Sequence, residues 1–321
     1  MSIIVSHTSA LQVFAQCAAA GNLPKPGRTP LRVSAPNSGE MHRVERLFPQ
    51  LEMPYDILIT AREQRRWAPQ VRNHLVVNEI PYGCTCQVDE GVYVVSPEYN
   101  FILLASKMPL IQHIRLGFAL LGTYGLCEWG FNDEVLDMDE PFCTYKRLRE
   151  IVGKVENVNG IKQSRRAVRH LLPNSGSPME TTFGITMSLP RSLGGQAVRN
   201  LELNYEIPLN KAQRRSAGKS FYRIDAVRRD LGIGFEYLGE ESHAGMVRGV
   251  SDLRRESILQ AMDYQVHGVT KSQVTNLAEL IRFARIIYKA EGRQFRKPSD
   301  SQIRSMISLL ETLYPWTRYS G

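Results

Sequence analysis

The sequence predicts a mixed α/β protein, α+β in character, built as two domains, and three observations carry that prediction. At 321 residues the chain exceeds one small module and suits two, at roughly 100–200 residues per domain. Stretches that alternate apolar and polar, rich in Val, Ile, Tyr and Phe, interleave with stretches of helical period. The charge also changes sign along the chain. Residues 1–150 hold 14 Lys and Arg against 16 Asp and Glu, and residues 151–321 hold 26 against 16. A composition of 43% hydrophobic and 22% charged residues excludes a disordered chain, a collagen-like fibre and a disulfide mini-protein.

In the first domain, residues 9–20 read as a helix with Leu11, Phe14 and Ala15 on one face. Residues 21–53, rich in Pro, Gly and polar side chains, read as loop with one short helix. Residues 55–60, 71–77 and 91–96 read as strands, and 99–107, 110–121 and 142–155 as helices. The acidic run Asp133, Glu134, Asp137, Asp139, Glu140 reads as a loop, a candidate dock for a basic protein such as a toxin. A helix over 162–172 carries Lys162, Arg165, Arg166 and Arg169. Pro173-Asn174-Ser175-Gly176-Ser177 then punctuates the chain, which divides it into domains 1–172 and 173–321.

No apolar run reaches the roughly 18–20 residues that cross a bilayer. The first basic residue is Lys25, so the apolar start lacks the early charge of an export signal. A cytoplasmic protein with five reduced cysteines is the expectation. Cys84-x-Cys86 is one ligand pair at most, short of the four ligands of a structural zinc site and with no second pair nearby, and reads as two small residues in a strand or turn.

The second domain predicts the order α-β-β-β-α-β-α: helix 177–189, strands 201–207, 221–228 and 232–238, helix 247–264, strand 266–270 and helix 272–290. A helix over 301–313 closes the fold. The expected sheet is mixed, with a parallel pair joined by the long helix and helices covering it.

Four groups on this frame carry potential chemistry. Asp225 and Glu236 lie on consecutive strands, and a hairpin around Asp230 brings them to one end of the sheet. Two neighbouring carboxylates repel unless protonated or bridged by a cation, and hard oxygen ligands suit Mg²⁺. Glu180 offers a third carboxylate, and His243 a general acid or base. Each also has a plain alternative. Ser177-Pro178-Met179-Glu180 is a capping box with Pro at the first helical position. Arg223 or Arg228 satisfies Asp225, Glu236 is solvated, and His243 is a surface histidine. Asp252 and Arg255, three apart on a helix, form an exposed ion pair.

Taken together these residues resemble the domain related to the very-short-patch mismatch-repair endonuclease, within the PD-(D/E)XK nuclease-fold superfamily. The matching text is Ser177-Pro178-Met179-Glu180, Arg223-Ile224-Asp225, Phe235-Glu236-Tyr237-x-Gly239, His243 and Asp252-x-x-Arg255. The resemblance implies a restriction-endonuclease-like fold, with Glu180, Asp225 and Glu236 as Mg²⁺ positions and His243 as a further catalytic one. Asp252 and Arg255 match a helix signature of unassigned role. Ser6-His7-Thr8-Ser9-Ala10-Leu11, the strand with His74 and the run 91–97 resemble abortive-infection-type antitoxin regulators, many of which end in that nuclease-like domain. One position departs: Leu238 stands where the superfamily places Lys and this branch often Asp. Leu neither polarises water nor binds a metal.

Two functions follow as expectations. One is a Mg²⁺-dependent DNA endonuclease acting in defence or repair. The other is a catalytically inactive DNA-binding regulator of antitoxin type. In both, DNA contact falls to Lys162, Arg165, Arg166 and Arg169 and to Lys211, Arg214, Arg215 and Lys219.

Overall fold

The computed structural model describes residues 2–29, 33, 37–65, 69–125, 136–238 and 249–313. The chain divides into two compact units, Met1–Leu171 and Leu172–Gly321. Both mix helices with a sheet of mixed direction, so the α+β class stands.

In the first unit the element order is β1 (Ile3–Val5), α1 (His7–Ala19), β2 (Pro26–Gly27), α2 (Ser38–Leu47), β3 (Tyr55–Ile59), β4 (Val71–Leu75), β5 (Thr85–Asp89), β6 (Val92–Val95), α3 (Pro97–Leu104), α4 (Leu110–Leu120), β7 (Tyr124–Gly125), β8 (Leu136–Asp137), α5 (Tyr145–Lys154) and α6 (Ile161–Ala167). Six strands form one sheet in the order β2-β5-β6-β1-β3-β4. Strand β1 is central, parallel to β6 and antiparallel to β3. Its three residues are wholly buried, which is why Ile and Val fill it. Local signals set the helix starts. Ser96 caps α3 with Pro97 at the first position, two residues ahead of the sequence expectation, and Thr144 caps α5. The expected helix 162–172 ends at Ala167 and tightens into a 3₁₀ turn over Val168–His170.

The second unit runs α7 (Pro178–Ser188), β9 (Glu202–Pro208), α8 (Lys211–Ala217), β10 (Phe221–Arg228), β11 (Ile233–Leu238), α9 (Val250–Gln260), β12 (Gln265–Thr270), α10 (Lys271–Val274), α11 (Leu277–Ala290) and α12 (Asp300–Leu313). The sheet order is β12-β11-β10-β9; β11 and β12 are parallel with α9 between them, and the other pairs are antiparallel. Two elements differ from expectation. Short α8 enters between β9 and β10, started by an Asn210–Gln213 capping box and stopped by left-handed Gly218. The expected helix 272–290 breaks into α10 and α11 because Asn276 caps the second, accepting from Ala278 and Glu279 N–H.

The core of this unit lies on both sides of the sheet. Phe183 of α7, Phe235 of β11 and Phe283 of α11 meet ring to ring at 5.3–6.0 Å. Across the sheet, Leu259 of α9 buries against Tyr222 and Ile224 of β10 and Ile207 of β9. Between β10 and β11 the paired register runs only from Arg228–Ile233 to Ala226–Phe235. Beyond that β10 stays with β9 out to Phe221 and β11 with β12 out to Leu238. The two middle strands therefore part at Asp225 and Glu236. Among the described residues no helix is long and apolar enough to cross a membrane.

Candidate functional site

The candidate site is built at the fork where β10 and β11 part. Asp225 is the first residue past the paired stretch, and its Oδ2 accepts the Tyr237 N–H at 2.7 Å. A side chain thus replaces the main-chain partner that the parting strand no longer supplies. Burial pushes the Asp225 carboxyl from its ordinary 3.8 up to about 7, helped by the nearby charges of Glu180 and Glu236. The Tyr237 amide and Arg255 oppose this rise and do not cancel it. Neither arginine expected to satisfy Asp225 does so. Arg223 pairs with Glu206 at 2.8 Å, and buried Arg228 pairs with Asp230 and Glu291.

Glu180 comes to the fork from the first turn of α7. Ser177 accepts the Glu180 N–H at 3.2 Å, so the helix start follows the local pattern. The return bond differs, because Glu180 Oε2 reaches past Ser177 to the Gly176 N–H at 2.7 Å. The same oxygen accepts a short bond from Asn204 Nδ2. Asn204 sits within β9 at φ 47°, a left-handed conformation that Asn tolerates better than most residues. Burial raises the Glu180 carboxyl above its ordinary range, against the pull of these hydrogen bonds.

Glu236 does not join the other two. It takes the Arg255 guanidinium of α9 in a two-pronged pair, Nη1 to Oε2 at 2.6 Å and a shorter bond from Nη2 to Oε1. Arg255 also donates to the Arg223 carbonyl at 2.8 Å and lies 5.4 Å from the Tyr222 ring centre. One side chain thus ties α9 to two strands that are separating. The expected ion pair with Asp252, exposed in the first turn of α9, gives way to this fork. The expectation of a solvated Glu236 is corrected as well, since only 21% of its side chain is exposed.

Glu180 and Asp225 border a cavity of about 10 Å³, walled by Phe183, Phe235, Tyr237 and Val269. That is room for at most about one water, whereas Mg²⁺ usually keeps several. Among the described residues no three of His, Cys, Asp and Glu are arranged to hold a metal ion. Of the three positions expected to hold Mg²⁺, Glu180 and Asp225 share this cavity while Glu236 is turned to Arg255. His243 lies outside the described residues. Leu238 is 40% exposed and lies over Gly268, where an added Cβ would meet its Cδ1 at 2.8 Å.

The basic residues fall into two sets. In the first unit Lys162, Arg165, Arg166 and Arg169 are all exposed. Arg165 also serves the fold, donating to the Val152 and Val155 carbonyls at the end of α5. In the second, Lys211, Arg214, Arg215 and Lys219 are exposed on and after α8, with Arg214 Nε donating to the Leu209 carbonyl at 2.6 Å. Past α8, an open groove of about 620 Å³ is lined by Gly218, Lys219, Ser220, Phe221, Tyr222, Arg223 and Arg255. No local pattern points to this groove, because it joins a helix end, a strand start and a distant helix. The one available signal is Phe221, a large apolar residue directly after a polar Gly218-Lys219-Ser220 turn.

In the first unit the 6–11 motif fastens α1 to the sheet. Ser6 and Ser9 bond the main chain of Asp56, which tethers the helix start to β3. His7, at φ 49°, stacks on His74 with ring centres 3.6 Å apart, and its Nδ1 is 3.0 Å from Ser6 Oγ. His74 Nε2 is 2.7 Å from Asp56 Oδ1, which Arg72 also approaches at 3.3 Å. Burial holds the His7 imidazole down at about 3, with the His74 charge adding to the effect. Cys84 and Cys86 are buried thiols whose burial pushes them up to about 12, the plain reading of that pair. Of the acidic run, Asp137, Asp139 and Glu140 are exposed, and Asp133 and Glu134 lie outside the described residues.

No protein-family model, curated protein or solved structure matches the chain.

Proposed function

We propose that this chain is a DNA-holding protein of the antitoxin-like regulatory kind, whose second unit keeps a nuclease-type scaffold without cutting. The observation that carries the reading is the two-pronged Arg255–Glu236 pair at the fork. A metal-dependent nuclease presents strand carboxylates as open oxygen ligands. Here Glu236 gives both oxygens to a guanidinium, and Glu180 is engaged by Gly176 and Asn204. Leu238 stands where the resemblance places Lys or Asp. DNA affinity comes from phosphate neutralisation by Lys211, Arg214, Arg215 and Lys219, whose side chains are exposed.

The test is binding of a duplex oligonucleotide by the full chain across a salt series, with a supercoiled plasmid incubated alongside in Mg²⁺ or Mn²⁺. Four phosphate contacts give a slope of log affinity against log salt of about −3 to −4, and the plasmid stays intact. Absent or salt-insensitive binding overturns the reading.

A second reading, a Mg²⁺-dependent endonuclease, draws on one observation. Asp225 and Glu180 line one cavity, and the repulsion of their charges is the kind a cation relieves. Plasmid nicking that disappears in Asp225→Ala would establish it in place of the first.

A further inference from the structure

The groove beside the fork has a chemistry that a purely duplex-binding face does not need. Its volume, about 620 Å³, lies in the range that holds one small ligand, roughly 300–1,000 Å³. Phe221, at the start of β10, is 37% exposed in its lining, although a phenyl ring gains nothing from water. Beside it stand two cations at different levels of commitment. Lys219 has no carboxylate partner among the described residues. Arg223, whose guanidinium lies 5.9 Å from the Phe221 ring centre, is paired with Glu206, but both side chains are about half exposed. An exposed pair of this kind is weak, so Arg223 turns to a phosphate at little cost. The third cation, Arg255, also lines the groove but is held by Glu236 and Tyr222.

An exposed aromatic ring flanked by cations is matched by a ligand with a flat apolar face and a neighbouring anion. A duplex offers its phosphates but keeps its base faces stacked inside. An unpaired nucleotide offers both, and base stacking on an aromatic side chain tolerates any sequence. We propose that this groove takes an unpaired nucleotide of a DNA strand, its base against Phe221 and its phosphate on Lys219 and Arg223. The inference rests on the DNA-holding reading and specifies the form of DNA that the second unit prefers.

The experiment uses the full chain and fluorescence anisotropy with a labelled ten-nucleotide thymidine strand, a duplex of equal length and a uridine RNA strand. The thymidine strand binds tighter than the duplex. Phe221→Ala weakens the single strand about thirtyfold, the middle of the range for one lost stack, and leaves duplex binding unchanged. Phe221→Trp restores the single strand, which separates stacking from misfolding. Lys219→Gln flattens the single-strand salt slope by about 0.7. Equal affinity for strand and duplex, or a Phe221→Ala chain that binds the strand like the parent, overturns this inference and leaves duplex holding intact. Tighter binding of the RNA strand also overturns it. No binding of any form overturns both proposals.

Discussion

Replacing Asp225 by Asn removes a charge that the fold works against. The Asn keeps an oxygen for the Tyr237 N–H, so the hydrogen bond at the fork survives. The burial of the charge and the repulsion from Glu180 and Glu236 disappear with it. The folded chain holds the Asp225 proton up to about pH 7, against an ordinary 3.8, whereas the unfolded chain releases it near that ordinary value. The acid therefore contributes most to stability below about pH 4, and that contribution is lost as pH rises to 7. At about 1.4 kcal/mol per pH unit, ionised Asp225 costs the folded state up to about 4 kcal/mol above pH 7. Partial access of water to the fork reduces this to about 2–4 kcal/mol. Urea unfolding of parent and Asp225→Asn chains, followed by circular dichroism at pH 4, 6 and 8, reads the effect directly. The variant matches the parent at pH 4 and exceeds it by an amount that grows to pH 7 and then levels. A variant less stable at pH 8, or a difference independent of pH, refutes the reasoning.

His7 behaves in the opposite sense. Its folded value near 3 lies below the ordinary 6.5, so the stability it contributes is complete above about pH 6.5 and lost as pH falls toward 3. His7→Asn, which suits φ 49°, flattens the acid side of the first unit's thermal unfolding profile; an unchanged slope removes His7 as its cause. Arg255→Gln leaves Glu236 without its partner and costs about 1–3 kcal/mol. The double variant with Glu236→Gln recovers part of that, and a double-mutant cycle with no coupling refutes the pair. Gly232→Ala meets two obstacles, φ 63° and an Asp263 carbonyl 2.2 Å from the added Cβ. It destabilises the second unit by at least about 2 kcal/mol, and a neutral effect in chemical denaturation contradicts the turn between β10 and β11.

What the sequence made legible was local. Ser177 and Pro178 announce the start of α7 because a cap and a first-turn proline act within four residues. Alternation around a left-handed Gly232 yields β10 and β11 for the same reason. Short elements without a full period escaped. The three residues of β1 are too few to alternate, and α8 has a polar, basic surface in place of an apolar stripe. The capping box and the closing Gly218 were present in the text and are the signal that finds α8. At the candidate site the acids were legible and their partners were not. Arg255 lies 19 positions from Glu236, and Asn204 lies 24 from Glu180. Their matching depends on how helices settle on the sheet, which no local pattern encodes. Asn204 itself was the visible clue, a strand-averse residue in an otherwise strand-like run.

The Arg255 fork also bears on how this region can change by descent. Positions 236 and 238 fall on one side of β11, so a new side chain at 238 enters a space whose charge Arg255 and Glu236 have already balanced. An acid there draws on the same guanidinium, and a lysine there competes with it for the same carboxylate. The consequence of any substitution at 238 is thus set by the residue at 255. Substitutions at 238 and 255 are therefore expected to combine non-additively.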